Sequence, residues 1–338
     1  MPVPAAISAV PNQWIRKISL LVNNEAMGEE LADFHMTFRV TATDGQTLNN
    51  MWVRVYNLSD STMKRVRQEY SHVRLEAGYQ HGNYAQIFNG TIKQWKRGRE
   101  NATERYLDIY AADGDTLNSY SWVNETQGPP VDHHVLAAQA QRAAKQFGID
   151  AGPNQMDQAL QTAAGTAGVL LTRGKTSVGQ QRVMLGELGD STLTQWSIQN
   201  GKLVFYDLQG YLPGEAVELN VNTGLIGQPE QTDNGIMIKC LLNPKLQVAG
   251  RVLINNGALG GRRNAAQAIT VTEFADPNNP IPFDQFAGQP INLASLADDG
   301  LYRVVVIEHV GDTRGNDWYS NITALNLDPS TGKVKLFG

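Results

Sequence analysis

Two adjacent histidines, His133 and His134, follow Asp132 and are the first residues in the chain that suggest chemistry. Imidazole and carboxylate are donor types that bind zinc. On a helix, however, neighbouring side chains point about 100° apart, no cysteine is near, and other carboxylates are loosely placed. A role at a helix start, on the surface or in an interface, is the plainer reading. His309 and Asp312, with Asp317 nearby, have the residue types of general acid–base work, but no serine or cysteine nucleophile accompanies them. Paired carboxylates that cleave glycans are defined by spacing in space, and no motif raises them here. Arg173-Gly174-Lys175-Thr176-Ser177 resembles the end of a phosphate loop without its beginning: the frame needs glycine where Val169 stands, and Gly168 is one position off. Lys93, Lys96, Arg97, Arg99 and Arg105 surround Trp95, a pattern that can hold single-stranded nucleic acid. Glu100 and Glu104 dilute it, and a solvated strand face or a protein contact is the plainer reading. Trp95, Trp122, Trp196 and Trp318 could stack on sugars, or fill cores and subunit contacts. Cys240 lies inside the apolar run 235–242 and reads as a buried structural thiol. The expectation is no catalytic, cofactor-binding or metal-binding residue.

Composition narrows the choice. The chain has 338 residues, 41% of them hydrophobic and 18% charged, with a formal net charge of -5. That apolar share supplies a core, and the charge gives no general pull toward nucleic acid or anionic membrane. With 32 Gly and 14 Pro, turns should outnumber helices. A single cysteine excludes an intrachain disulfide and fits folding in a reducing cytosol. No apolar run approaches 20 residues and no basic–apolar segment opens the chain, so neither a membrane span nor export is expected.

The elements follow from periodicity. Residues 215–256 are cut by turn signals into several strands: Leu219 and Val221 alternate with Asn220 and Asn222, Gly235 opens an apolar run that Asn243-Pro244 closes, and Val252-Leu253-Ile254 begins another. Residues 1–13 read as an extended arm. Strands are expected over 14–22, 34–40, 51–59, 73–77, 86–97 and 104–110, with a helix from Ser59 or Asp60 to about Tyr70 resting on Met63 and Val66. In 51–59, Met51, Val53 and Val55 share one face, and Trp52, Arg54 and Tyr56 form a second that another element or a partner should cover. Six or so strands with one helix make a barrel or sandwich, or a unit whose edges pair across subunits into a ring. The middle begins at Gly128-Pro129-Pro130. Its segment 131–147 should be helical, capped by Asp132, stopped by Gly148 and buried through Val135, Leu136, Ala140, Ala143 and Phe147. Residues 176–199 read as short helices, then Asn200-Gly201 and a strand over 203–206. Later come a loop at 257–268, a strand at 269–271, a proline-rich strap at 275–292, and a strand pair in 302–325. On the first of that pair Val304, Val306 and Glu308 share one parity, and Arg303, Val305, Ile307 and His309 the other. The expected fold is thus mainly β with a small α/β middle region, divided at 1–125, 126–214 and 215–338.

Several short patterns then agree in their order: VRVYNLSDSTMKRV (53–66), IFNGTIKQ (87–94), LDIYAADGD (107–115), GLIGQPEQTDNGIMIKCLLNPKLQVAGRVLI (224–254) and HVGDTRGNDWYSNITAL (309–325). This order resembles the central baseplate and tail-tip hub proteins of tailed bacteriophages, the late-control-protein-D type. The resemblance implies two tail-tube-like β-barrel or sandwich domains, at 1–125 and 215–338, and a homotrimeric ring. It implies a tail-tube protein on one side, a central spike or tip protein on the other, a tape-measure protein in the lumen and further baseplate proteins around. Genome DNA would pass without specific binding, and the ring would be assembled in the host cytoplasm and sit in the virion tail baseplate. No cell-wall-degrading module accompanies the pattern. The rivals are a carbohydrate-binding tail component and a cell-wall hydrolase.

Overall fold

The computed structural model describes residues 13–24, 28–68, 71–129, 131–156, 159, 173–232, 235–254, 300–328 and 333–334. The expected arm (apart from Gln13), the loop at 257–268, the strand at 269–271 and the strap at 275–292 lie outside these residues. So do residues 69–70 at the end of the first expected helix.

The first region supplies β1 Arg16–Asn23, β2 Gly28–Leu31, β3 Met36–Thr43, β4 Asn50–Tyr56, α1 Asp60–Gln68, β5 His72–Tyr79, β6 Tyr84–Arg99 and β7 Arg105–Ala112. Alternation puts Met36, Phe38 and Val40 of β3 and Met51, Val53 and Val55 of β4 in one core with Leu20, Leu75, Leu107 and Ile109. α1 starts where Ser59 Oγ accepts the Thr62 N–H at 3.1 Å, and it buries Met63 and Val66 against that core. The second face of β4, with Trp52, Arg54 and Tyr56, is half-buried, and side chains of the adjacent strand β7 flank it. The Arg54 guanidinium lies 3.8 Å from the Tyr106 ring centroid and grips Asp108 with two bonds of 2.7 and 3.0 Å. That bidentate bond to Asp108 holds the guanidinium still more firmly protonated than usual.

Next come α2 Asp115–Tyr120 and β8 Trp122–Gln127, which leads into the middle region, and then α3 His133–Lys145, β9 Asp150–Asn154, β10 Lys175–Gln180, α4 Gln181–Thr192, β11 Thr194–Gln199 and β12 Lys202–Asp207. Asp132 caps α3 as expected, accepting the His134 N–H at 3.0 Å. The buried stripe is His133, Leu136, Ala137, Ala140 and Ala144, while Val135, expected on it, is exposed. More strands are present than the sequence suggested. Residues 176–199, expected as short helices, split into β10, one helix and β11. The reason is pairing across the chain: β10 pairs with β8, and β11 forms a hairpin with β12 through Asn200-Gly201. Both turn residues have positive φ, 53° and 77°, as this tight hairpin demands.

The last region adds β13 Val217–Leu219, β14 Leu225–Thr232, β15 Gly235–Leu241, β16 Arg251–Ile254, β17 Gly300–Asp312 and β18 Trp318–Asn326. Val221, expected in a strand, starts a 3-10 turn instead, because Asn220 Oδ1 accepts the N–H groups of Asn222 and Thr223 at 2.8 and 2.9 Å.

Among the described residues a 13-stranded sheet runs β14-β15-β18-β17-β3-β4-β7-β6-β5-β1-β2, with β13 and β16 as a branch on β17. The path has two ends, so the strand order is sandwich-like and open, and it does not show the barrel alternative. β17 is the branch point. Residues 300–303 pair with β16, and Val306–Asp312 pair with β3, while the opposite edge carries β18. The expected parity of β17 fails midway, because an extra residue bulges between Val304 and Val306. Tyr302 and Val304 therefore share a face with Ile307, which joins them in the last region's core. Trp318 and Leu242 of the last region join the core of the first. Trp318 meets Phe38 edge-on at 5.6 Å, and a Cβ on Gly311 would stand only 2.4 Å from the Phe38 ring, so the contact needs glycine there.

Ile238 is 2% exposed beside Ile322 in the last core. Ile238→Asp should cost more than about 3 kcal/mol by burying an unpaired charge. Equilibrium urea unfolding measures this, and an unchanged midpoint would overturn the placement.

Candidate functional site

The residues with chemical promise are scattered. His309 is 4% exposed on the inner face of β17, its Nδ1 2.7 Å from Ser320 Oγ. Burial pushes its pKa down to about 4, so it is neutral at pH 7. Asp312, three residues on, lies on the opposite parity at the strand end. Its Oδ1 accepts the N–H groups of Arg314 and Gly315, each at 2.8 Å, and stands 3.0 Å from His35 Nε2. Burial would raise the carboxyl, but these bonds outweigh it and hold it below the usual range. Asp317 meets Asp312 through its backbone carbonyl. The expected acid–base pair is thus divided by strand geometry.

Asp132, His133 and His134 come closer than helical spacing implied. Their ligand atoms lie within 4.8 Å of one another, and the two rings are 4.2 Å apart. The divergence expected of neighbouring residues fails because His133 sits at the first helical position, where Asp132 Oδ1, 3.1 Å from His133 Nδ1, draws the ring toward the cap. Lys175, Thr176 and Ser177 belong to β10, and Lys175 Nζ is 3.3 Å from Glu187; a phosphate loop needs a turn into a helix at that point. Cys240 is buried, and burial pushes its thiol up to about 12. Trp196 and Trp318 are core residues, and Trp95 is half-buried beneath Arg67, whose guanidinium lies 3.9 Å from its ring centroid. Of the four tryptophans considered for sugar stacking, Trp122 alone is exposed.

What the fold brings together is a joint. Asp44, in the turn after β3, accepts from Arg303 Nη2 of β17 and from the Tyr206 hydroxyl of β12. Arg303 Nη1 donates to the Leu208 carbonyl at 2.7 Å. The side chains of Arg303 and Asp44 are 3% and 11% exposed, so all three regions meet at one buried ion pair. Burial is the main reason the Tyr206 hydroxyl is held far above its ordinary pKa. Nearby, the tip of the β11–β12 hairpin plugs into the first region. Gly201 N–H lies 3.2 Å from both carboxyl oxygens of Asp113, and Asn49 Nδ2 donates to the Ile198 carbonyl at 2.9 Å. A crevice beside it, lined by residues that include Asp113, Asn200 and His309, encloses ≈ 30 Å³, room for a water or two rather than a sugar ring. Neither Asp44–Arg303 nor Asp113–Gly201 was singled out from sequence; their partners are too distant in the chain to leave a local signal.

This architecture is that of phage tail proteins. The structure is similar to a tail protein from Neisseria meningitidis MC58, with a TM-score of 0.54 at 9% identity, covering 92% of this chain and 96% of that one. It is equally similar to the 43 kDa tail protein of prophage MuSo2 from Shewanella oneidensis, with a TM-score of 0.54 at 8% identity over 94% and 98% of the two chains. At such identities the likeness is one of fold. No curated protein matches the sequence. Residues 46–258 match the family Baseplate hub gp41, and the chain belongs to that family. It is a structural protein of the tail and baseplate, as the order of its short patterns suggested. No helix among the described residues is long and apolar enough to cross a membrane.

Replacing Arg303 with Leu leaves the Asp44 carboxylate buried without its partner and should cost about 3–5 kcal/mol. Adding Asp44→Asn should recover part of that loss, and additive effects in a double-mutant cycle would show that the pair is not coupled.

The pH response has two opposing parts. Burial pushes Asp113 from 3.8 up to about 7 against the bonds from Gly201 and Asn200, so its contribution to stability is lost as pH rises through that window. His309, depressed from 6.5 to about 4, loses its contribution as pH falls through the same range. Asp113→Asn should therefore gain stability on the wild type as pH rises from about 4 to 7, and hold a constant difference above. Urea titrations at pH 4.5 and 7.5 test this; an equal shift at both values would show that Asp113 is not the titrating group.

Proposed function

We propose that three copies of this chain form a baseplate hub, joining the tail tube on one side to a central spike or tip protein on the other. Two sheet-built units, 1–125 and 215–338, would present six related surfaces per trimer to the tube, with 126–214 as a mixed region beside them. The ring would surround the channel through which the tape-measure protein and then genome DNA pass without specific binding, and would touch the surrounding baseplate proteins. Assembly would take place in the host cytoplasm, and the finished ring would sit in the virion tail baseplate. Membership of the Baseplate hub gp41 family carries this reading. Two further features support it. The first and last regions are joined in one sheet through β17, and the net charge of -5 offers no general counterion-driven adhesion to DNA. Closed rotational symmetry would satisfy the contacts without fibre growth.

Light scattering on the purified chain, alone and with tube and spike proteins, tests the assembly. The expected mass is three times the 37.1 kDa of one chain. A monomer that persists at high concentration and in the presence of both partners would sink the proposal.

A further inference from the structure

β6 is the longest strand described, Tyr84–Arg99, and its neighbour β5 covers only part of it. The β5 register ends at His72 opposite Thr91, with one more bond of 2.8 Å from Ile92 N–H to the Ser71 carbonyl. Past that point β7 continues along one edge of β6 as far as Arg99 opposite Arg105, and among the described residues no strand lies along the other edge.

The phase of the ladder shows which residues face that edge. Glu100 N–H donates to the Glu104 carbonyl at 3.0 Å, so Glu100 turns its amide toward the β7 side, as Gly98 and Lys96 must by alternation. Arg105 turns its own groups the other way, its N–H to Asn57 Oδ1 at 3.1 Å and its carbonyl to Asn57 N–H at 2.8 Å. Arg99, Arg97 and Trp95 therefore present both N–H and C=O to the open edge, and their side chains share one face.

That edge is cationic in an otherwise acidic chain. Lys93 is paired with Asp115 at 2.9 Å, Arg105 with Asp60 at 3.0 Å, and Glu100 stands 3.8 Å from Arg54. Lys64 and Arg67, one turn apart on α1, and Lys96, Arg97 and Arg99 on β6 have no carboxylate partner among the described residues. Lys96, Arg97 and Arg99 are exposed.

From this juxtaposition of unpaired backbone and unpaired cations we propose that the distal edge of β6, Trp95–Arg99, is a docking site for an extended acidic segment of a neighbouring protein, which adds to the sheet as a further strand. Main-chain bonds to Trp95, Arg97 and Arg99 supply the pairing, and carboxylates on alternate residues of the incoming segment meet Arg97, Arg99 and Arg67. Like charges keep a second copy of the same edge away. Single-stranded nucleic acid is the poorer fit, because the Trp95 face on which a base would stack is occupied by Arg67. Its test reads peptide binding rather than mass, so this proposal stands or falls separately from the trimer.

The test uses the full chain and fluorescein-labelled peptides of eight residues, alternating Glu-Thr or Lys-Thr, with a dT oligonucleotide as a third probe, all at physiological salt. The Glu-Thr peptide should bind and the Lys-Thr peptide should not. Arg97→Glu with Arg99→Glu, both exposed and so compatible with folding, should weaken the Glu-Thr peptide at least tenfold. Amide hydrogen exchange at Trp95, Arg97 and Arg99 should slow in the complex. No binding of the acidic peptide, unaltered binding by the charge-reversed variant, or protection elsewhere with none at these amides would overturn the proposal. Tighter binding of the dT oligonucleotide than of the peptide would assign the edge to nucleic acid instead, and would overturn it too.

Discussion

The structure depends on one strand being asked to pair three ways. β17 holds β18 on one side and divides the other between β16 and β3. Such a fork leaves backbone groups unsatisfied unless something fills the gap. Asp44 N–H donates to the Val305 carbonyl at 2.7 Å, and Ala249 N–H to the Val304 carbonyl at 2.9 Å, at the point of division. The same turn places the Asp44 carboxylate against Arg303. A buried ion pair stabilises less than an apolar contact of similar size, because desolvation offsets much of its attraction. Separating the pair would leave each charge buried without its counter-charge, which favours the one arrangement in which the β3 turn, β12 and β17 meet.

Much of the β framework was legible because one face of each strand is buried. Met36, Phe38 and Val40, or Met51, Val53 and Val55, alternate with polar residues and identify themselves. α1 announces its start through Ser59. Legibility fails where that condition fails. β9, with Gly152 and Pro153, and β10, whose Val178 is exposed, have no clean alternation because neither strand has a fully buried face. The bulge in β17 is invisible in an apolar run, where Val304, Val305 and Val306 look alike and only the partner strand decides which is extra. Val221 misled because an asparagine side chain, competing with strand pairing, bent the backbone after it.

Candidate chemistry was read more poorly than candidate structure, for a related reason. His309 and Asp312 attract notice as types, yet three residues along a strand puts them on opposite faces. Arg97 and Arg99 were visible as charges, but their interest comes from where β5 stops, which no local pattern encodes. The joints at Asp44 and Asp113 join residues more than 80 positions apart. By contrast, the order of short motifs carried real information. The patterns at 53–66, 87–94, 107–115, 224–254 and 309–325 fall largely on strands that are neighbours in the large sheet, so their succession encodes its topology.

The sharing of β17 also has a mechanical consequence. Tension applied between the two ends of the large sheet does not meet a hinge between separate bodies. It passes through β17, whose bonds to β3 and β18 run along seven or more residue pairs on each side. Where the pull has a component along the strand, those bonds are strained together, as in a lap joint, and resist far more than bonds opened one after another like a zip. Across the strand, the Trp318–Phe38 contact and the Arg303 clamp would have to yield in the same event. A chain wired this way transmits load as a single stiff element.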